Sequence, residues 1–253
     1  MKSKKILSFF CILLSMIFIA ETVSFEDVVI IASAETVERE IVEIGSVEDF
    51  SSFVEKCSLD AWSKGKKIVL KKDIDLSNSP NIMVPYFAGE FDGNGFVIRN
   101  LVIKSKDSYC GLFSKTTEDA IIKNLKVEAT IKPSGDPFDV GGIVGKNNGT
   151  ISACEFKGVV EGYNYVGQIV GYNGKSGIIS HCKSYGKLAG KYYSGGIAGA
   201  NAGSILECSN KTYVNIEYRD STVGVEDIKL DQIMAGMMKP CHLCSWLQRF
   251  LYQ

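Results

Sequence analysis

The sequence predicts an all-β fold, a right-handed parallel β-helix (β-solenoid) of about five to six coils with a short N-terminal capping helix. The main observation is an internal repeat, in which three segments align: VGGIVGKNNGTISAC at 140–154, VGQIVGYNGKSGIISHC at 166–182 and SGGIAGANAGSILEC at 194–208. Their final cysteines are 28 and then 26 residues apart, which is short of the ~40 residues that a propeller blade needs. Glycine and β-branched residues crowd every unit and disfavour helical repeats.

A unit of this size cannot bury its own apolar face, so the copies are expected to stack. Stacking gives each unit a neighbour and creates one continuous core. Strands in register would then lie about 4.8 Å apart along the stack. The aligned segments also share an asparagine in the turn before the second glycine, at Asn147, Asn173 and Asn201.

The N-terminal residues 1–34 are predicted to be a signal peptide. Lys2, Lys4 and Lys5 precede an apolar run at 6–20, and the small-x-small sequence ASA follows at 32–34. This order of a charged and an apolar segment is typical of export signals. A retained membrane anchor is the alternative. The mature chain is therefore expected to begin near Glu35 and to be secreted or extracellular, or associated with the cell surface.

Residues 35–65 are predicted to contain the capping helix, and residues 66–213 the β-helix repeat domain. Ser46 lies three residues before Asp49, which resembles a capping box. One helix face would then carry the apolar residues Phe50, Phe53, Val54 and Cys57. The segment KKIVLKKDIDLSN at 66–78 alternates β-branched and charged residues and predicts one or two strands.

One column of side chains is expected to form a ladder that points into the core. An isoleucine lies three residues before each member of this structural ladder, whose members are Leu101, Leu125, Cys154, Cys182 and Cys208. The three-residue step breaks strict strand alternation and predicts a bend or bulge between the two positions. Because leucine occupies the cysteine position in the earlier units, the cysteines are interpreted as small buried hydrophobic residues. Disulfide bonds, common in secreted proteins, are the alternative.

The repeat units resemble the GLUG-motif repeats of bacterial exported proteins. The resemblance rests on GGIVGKNNGTISAC, GQIVGYNGKSGIISHC and GGIAGANAGSILEC, and on the preceding segments FAGEFDGNGFVIRNLVIK (87–104) and GLFSK…IIKNLKVEA (111–129). It covers roughly residues 45–213. It implies a secreted or surface protein of the kind that includes adhesin-like chains and non-catalytic parts of larger exported enzymes, such as immunoglobulin A peptidases.

The expected function is a non-catalytic structural or adhesive role. The 28 basic and 29 acidic side chains nearly balance, so no nucleic-acid partner is predicted. No catalytic residue, cofactor or metal site is assigned, because the sequence contains no H-E-x-x-H, G-x-S-x-G or P-loop motif. Asp92, in FDGNG, is interpreted as a turn residue, and no role is assigned to Asp136 or Asp139. A carbohydrate-active β-helix enzyme and a non-catalytic fragment of a larger exported peptidase are the alternatives.

Several tyrosines in and near the turns between strands are candidate ligand contacts. Exposed tyrosines are suited to binding carbohydrate or protein, and a host matrix protein or a glycan is the expected partner. The alternative is that these rings cover the edges of the stack or pack in its core. The candidates are Tyr163, Tyr165, Tyr172, Tyr185 and Tyr192, with Tyr193 beside them.

The C-terminal residues 214–253 depart from the repeat. They are interpreted as a cap on the last coil or as a truncated end. A cap would use one apolar helix face, formed by Ile228, Ile233, Met234, Met237 and Met238. The CHLC sequence at 241–244 is not assigned a metal or redox role, since a second ligand pair is not visible.

Overall fold

The structure, a computed structural model, describes residues 39–59 and 61–216. These residues form an all-β parallel β-solenoid of about six turns, which confirms the predicted fold class. The predicted signal peptide, the apolar tail face and the CHLC sequence lie outside the described residues. No helix within the described ranges is long and apolar enough to cross a membrane.

The described residues contain one helix and a series of short strands. In chain order the elements are β1 (Ile41–Ile44), α1 (Val47–Lys56), β2 (Lys67–Leu70), β3 (Ile74–Asp75), β4 (Val84–Phe87), β5 (Glu90–Asp92), β6 (Val97–Ile103), β7 (Phe113–Thr116), β8 (Ile121–Lys123), β9 (Lys126–Ile131), β10 (Phe138–Gly141), β11 (Val144–Asn147), β12 (Thr150–Ser152), β13 (Glu155–Gly167), β14 (Val170–Asn173), β15 (Ile178–Ser180), β16 (Lys183–Gly195), β17 (Ala198–Asn201), β18 (Ser204–Leu206) and β19 (Ser209–Ile216).

In the described part of the chain, the strands of successive coils form three parallel sheets of seven, seven and five strands, and each of the middle coils contributes to all three. The first sheet has the order β1-β2-β5-β8-β12-β15-β18, the second β19-β16-β13-β9-β6-β3, with β10 paired to β13, and the third β17-β14-β11-β7-β4. The pairing is in register, so large apolar residues repeat at equivalent positions up the stack. In the first sheet this places Ile68, Phe91, Ile122, Ile151 and Ile179 at successive paired positions, all fully buried.

Helix α1 packs its aromatic residues against the first coils, as the sequence predicts. The Ser46 hydroxyl accepts a hydrogen bond from the Asp49 amide at 3.1 Å, and the Asp49 carboxylate accepts one from the Gly45 amide at 3.0 Å. Phe53 then contacts Phe87 and Phe91, with ring centroids 6.1 and 5.7 Å apart. These rings cover apolar surface that a first coil would otherwise leave exposed. The strand β1 before the helix, which pairs with β2, was not predicted.

In four coils, the three-residue step after the isoleucine is the corner between the first and second sheets. Asn124, Ala153, His181 and Glu207 occupy it in successive coils, with φ angles of 52°, 51°, 53° and 50°. This left-handed conformation turns the chain, and the following residue points inward again. The predicted bend is therefore a left-handed corner residue.

The predicted ladder needs one correction. The backbone carbonyls of Leu125, Cys154 and Cys182 each accept a hydrogen bond from the next coil. The donor is the amide of the residue that follows the next member of the column. In the same pattern, the amide of Lys126, which follows Leu125, donates to the Phe96 carbonyl. Phe96 is thus the member that precedes Leu125. Leu101 pairs instead with Ala129, after a register shift between Ile98 and Leu101 that includes Asn100 at φ 59°. The bulge moves Leu101 further along the second sheet.

The cysteines of this column are free thiols within the described residues. The Cys154 sulfur contacts the Ser152 carbonyl at 3.3 Å, and the Cys182 sulfur contacts the Ser180 carbonyl at 3.3 Å. Both side chains are buried, whereas Cys208, in the last coil, is partly exposed. A hydrogen bond with Cys154, together with burial, raises the pKa of Cys182 to about 12. The Cys182 thiol is therefore packed, protonated and a poor nucleophile.

A buried ladder of asparagine side chains closes the turn from the third sheet back to the first. The Asn147 amide donates to the Asn173 side-chain oxygen at 2.8 Å, and the Asn173 amide donates to Asn201 at 2.8 Å. Each side-chain amide also donates a hydrogen bond within its own turn. That of Asn173 donates to the Gly177 carbonyl at 3.1 Å. Asn147 and Asn173 are fully buried, so each hydrogen bond replaces water that the site excludes.

Removing the middle of this ladder should destabilise the stack. We expect Asn173→Ala to lower the free energy of unfolding by about 2–4 kcal/mol, because it leaves buried polar partners unsatisfied. Asn201→Ala, in the partly exposed last coil, is the matched control and should lower it by roughly 1 kcal/mol or less. Urea unfolding followed by circular dichroism measures both values. Equal losses for the two variants would contradict the ladder's role.

Candidate binding surface

A second corner, between the second and third sheets, carries aromatic and basic side chains from successive coils. Its turning residues are Tyr109, Asp139, Tyr165 and Tyr193, whose φ angles are 63°, 56°, 51° and 44°. Bulky residues rarely adopt this left-handed conformation. The repetition of the conformation in four coils shows that the stack imposes it.

Glycine in the next coil makes this corner possible. A Cβ at Gly145 would overlap the backbone of Tyr109, one at Gly171 would overlap Asp139, and one at Gly199 would overlap Tyr165. The glycine that repeats in IVG, IVG and IAG therefore lets the corner backbone of the coil below approach closely. The repeat pattern that forms the core therefore also determines where the corner residues lie on the surface.

The side chains at this corner contact one another across coils. The rings of Tyr165 and Tyr193 stack with centroids 5.3 Å apart, and Tyr165 meets Tyr172 edge-on at 6.0 Å. The Lys115 ammonium lies 4.0 Å from the Tyr109 ring centroid, and that of Lys146 lies 5.6 Å from Tyr172. We define the tyrosine–lysine corner as Tyr109, Lys115, Asp139, Lys146, Tyr165, Tyr172 and Tyr193.

The outer face of the third sheet supplies the lysines. Strand pairing places Tyr86 opposite Lys115, Lys115 opposite Lys146, and Lys146 opposite Tyr172. Beside this column lies a shallow groove of about 300 Å³. Its lining consists of Tyr86, Lys115, Thr116, Thr117, Glu118, Lys146 and Asn148.

Asp139 is the buried acid of the corner. Its side chain is 5% exposed. Burial raises the pKa of its carboxyl group to about 6, although the ammonium groups of Lys146 and Lys115 act to lower it. Burial, with smaller contributions from Tyr193, Asp139 and Tyr172, also raises the pKa of the Tyr165 hydroxyl. Asp139 is therefore a buried acid that titrates near pH 6 and interacts electrostatically with two lysines.

The structure brings most of the candidate tyrosines together, in two groups. Tyr165 and Tyr172 belong to the corner. Tyr163 and Tyr192 form a neighbouring group, with centroids 5.3 Å apart and the Lys191 ammonium 4.2 Å from the Tyr163 ring. Tyr185 is separate, because strand pairing places it between Lys157 and Lys211 in the second sheet.

Four residues of this surface were not singled out from the sequence: Tyr86, Tyr109, Lys115 and Lys146. Lys115 and Lys146 end the aligned segments CGLFSK and GGIVGK, so the alignment contained the signal. Asp139 was noted in the sequence without a role. Its burial depends on the corner conformation, which its sequence neighbours do not reveal.

Asp92 and two corner residues of the first sheet have local roles. The Asp92 carboxylate accepts hydrogen bonds from the Asn94 amide at 3.0 Å and the Asn124 side chain at 3.1 Å. His181 and Glu207 form an exposed contact of 2.8 Å between neighbouring corners. No group of three or more histidine, cysteine or acidic side chains within 39–59 and 61–216 is arranged to hold a metal ion.

The raised pKa of Asp139 should make stability depend on pH. The folded state binds the proton up to pH about 6, whereas the unfolded carboxyl loses it near 3.8. Protonation of Asp139 therefore contributes at most about 3 kcal/mol to the free energy of unfolding. This contribution is fully present below the pKa of the unfolded carboxyl and is lost as the pH rises through the pKa of the folded one. Asn also tolerates the left-handed conformation. Asp139→Asn should therefore gain stability relative to wild type between pH 4 and pH 7, as measured by urea unfolding.

Asp75 provides a control of opposite sign. Its exposed carboxyl has a pKa lowered mainly by a hydrogen bond from Asn100, so its contribution is present at neutral pH and lost in acid. Relative to wild type, Asp75→Asn should be less stable at neutral pH and recover as pH falls. Parallel pH profiles for wild type and Asp139→Asn would contradict the assignment of Asp139.

Comparisons with known proteins give one weak similarity. No protein-family model matches the chain. A stretch of 114 residues, 44% of this chain, is 33% identical to halomucin from Haloquadratum walsbyi. The chain spans only 1% of the length of that protein. No solved structure matches.

Proposed function

We propose that this chain is a non-catalytic repeat protein, secreted or located at the cell surface, that binds a glycan or a protein through the tyrosine–lysine corner. One observation carries the proposal. Rings from successive coils are held in contact on a hydrogen-bonded stack, with Tyr193 61% exposed above Tyr165. Tyrosine offers a large apolar face and a polar hydroxyl at little conformational cost.

The rigidity of the corner supports binding rather than simple coverage of the edge. Both neighbours of Tyr165 in the chain belong to strand β13, which pairs with β16 along its length. Rings fixed in this way lose little conformational entropy when a ligand binds, which favours affinity. Aromatic residues are also enriched where proteins bind one another.

The proposed location rests on two supports. The N-terminal sequence has the order of charged and apolar segments that is typical of export signals. The similarity to halomucin, a surface protein, is compatible with a surface or secreted repeat protein. The GLUG-type resemblance of the repeats agrees with such a location.

A binding screen with the full chain tests this function. Purified protein is applied to an array of glycans and matrix proteins, and each hit is titrated. We expect saturable binding that Tyr165→Asn/Tyr193→Asn weakens about tenfold or more. Asparagine tolerates the left-handed conformation at both sites, so the corner backbone should persist.

Tyr185→Asn is the matched control, because Tyr185 lies on the same sheet outside the corner. It should change affinity less than about twofold, since it is not in the binding surface. Equal losses for both variants, or silence from a well-folded chain, would contradict the proposal. Release of new sugar ends from a bound glycan would support the enzyme alternative instead.

A further inference from the structure

The two lysines of the corner are arranged unlike the lysines of the first sheet. Lys115 and Lys146 pair directly in neighbouring strands, and like charges directly opposite one another destabilise a sheet. In the first sheet, by contrast, Glu90 lies between two lysines, with its carboxylate 3.5 Å from Lys67 and 2.9 Å from Lys123. Neither Lys115 nor Lys146 has an ion pair within 4 Å among the described residues.

The charge near these lysines is only partly compensated. Asp139 interacts with both, but burial favours its neutral form. Glu118 lies in the groove lining as an exposed side chain. The tyrosine rings attract the ammonium groups through their faces without neutralising them. A ligand with closely spaced negative charges would remove the remaining repulsion.

The groove beside the lysines also has neutral polar residues in its lining. Thr117 and Asn148 contribute a hydroxyl and an amide group, whereas the Thr116 hydroxyl is already hydrogen-bonded to the Asn147 side chain and the backbone amide of Asn148. The Thr117 hydroxyl oxygen is buried and has no hydrogen-bond partner within the described part of the chain. A buried hydroxyl without a partner is unfavourable, and a sugar hydroxyl would satisfy it once the Thr117 side chain turned toward the groove.

We propose that the tyrosine–lysine corner and its groove bind an acidic polysaccharide, a linear polymer of charged sugars that lies along the stack axis. The inference rests on the proposed function and names its ligand class. Tyr86, Lys115, Lys146 and Tyr172 occupy one column in four successive coils, with a spacing of about 4.8 Å per coil. Such a column matches a linear polymer, whose acidic groups pair with the lysines while sugar faces lie on the flanking rings.

The test uses calorimetry on the full chain with four polymers. Sodium polygalacturonate and chondroitin sulfate supply carboxylate and sulfate groups on sugars. Fully methyl-esterified polygalacturonate keeps the sugar backbone without charge, and poly-L-glutamate keeps the charge without sugar. We expect binding to at least one acidic polysaccharide, weaker at high salt, and affinities at least about tenfold lower for the ester and for poly-L-glutamate.

Two double variants test the site. Lys115→Gln/Lys146→Gln should weaken binding about tenfold or more, because two charge-assisted contacts are lost. It should not lower the melting temperature, since it also removes a repulsive pair. Lys64→Gln/Lys72→Gln changes the net charge equally at exposed sites near the first coil and should change affinity less than about twofold.

Three outcomes would overturn the inference. The first is equal binding of polygalacturonate and its methyl ester. The second is binding of poly-L-glutamate that is as tight as that of the acidic polysaccharides, or tighter. The third is an equal loss of affinity in the two double variants. Absence of binding to both acidic polysaccharides would also overturn it. If the array screen still finds a neutral glycan or a protein that requires Tyr165 and Tyr193, the proposed function stands and only the acidic ligand class fails.

Discussion

In-register hydrogen bonding between parallel strands places each coil directly on the one before it, and the other features of the molecule follow from this pairing. Residues 23 to 31 apart in sequence become strand partners, and Asn147 and Asn173, for example, lie 2.8 Å apart. A polar group can then be buried if the same group recurs one coil later and provides the partner. The asparagine ladder and the column of isoleucines are two products of the same register.

The same register also forms the surface. The corner residues Tyr109, Asp139 and Tyr165 hold a left-handed conformation because glycine in the following coil leaves room for their backbones. The position of the surface tyrosines therefore depends on the glycines of the neighbouring coil. A rigid stack can hold an unfavourable arrangement, such as Lys115 opposite Lys146, because many hydrogen bonds elsewhere fix the strands. Unfavourable local arrangements of this kind are more common at functional sites than elsewhere.

The sequence was sufficient to predict the parallel solenoid, the capping helix and the repeated turns, because periodicity reports which positions face the core. It did not place Leu101, since a bulge at Asn100 shifts the register without a change in apolar spacing. Tyr163, Tyr165, Tyr172 and Tyr192 were found as aromatic residues near turns, but their division into two groups depends on corner geometry. Lys115 and Lys146 could not be assigned from the sequence, because whether a charged side chain has a partner depends on its neighbours in space.

The central claim, that glycine-rich segments are hydrogen-bonded parts of a stack, is tested most directly by amide hydrogen exchange on the full chain. Segments 141–147 and 167–173 pair with coils on both sides. Their amides should exchange about as slowly as those of the apolar strand 97–103, because opening them requires separation of coils. Rapid exchange in these segments, with protection only in the apolar strands, would contradict the account.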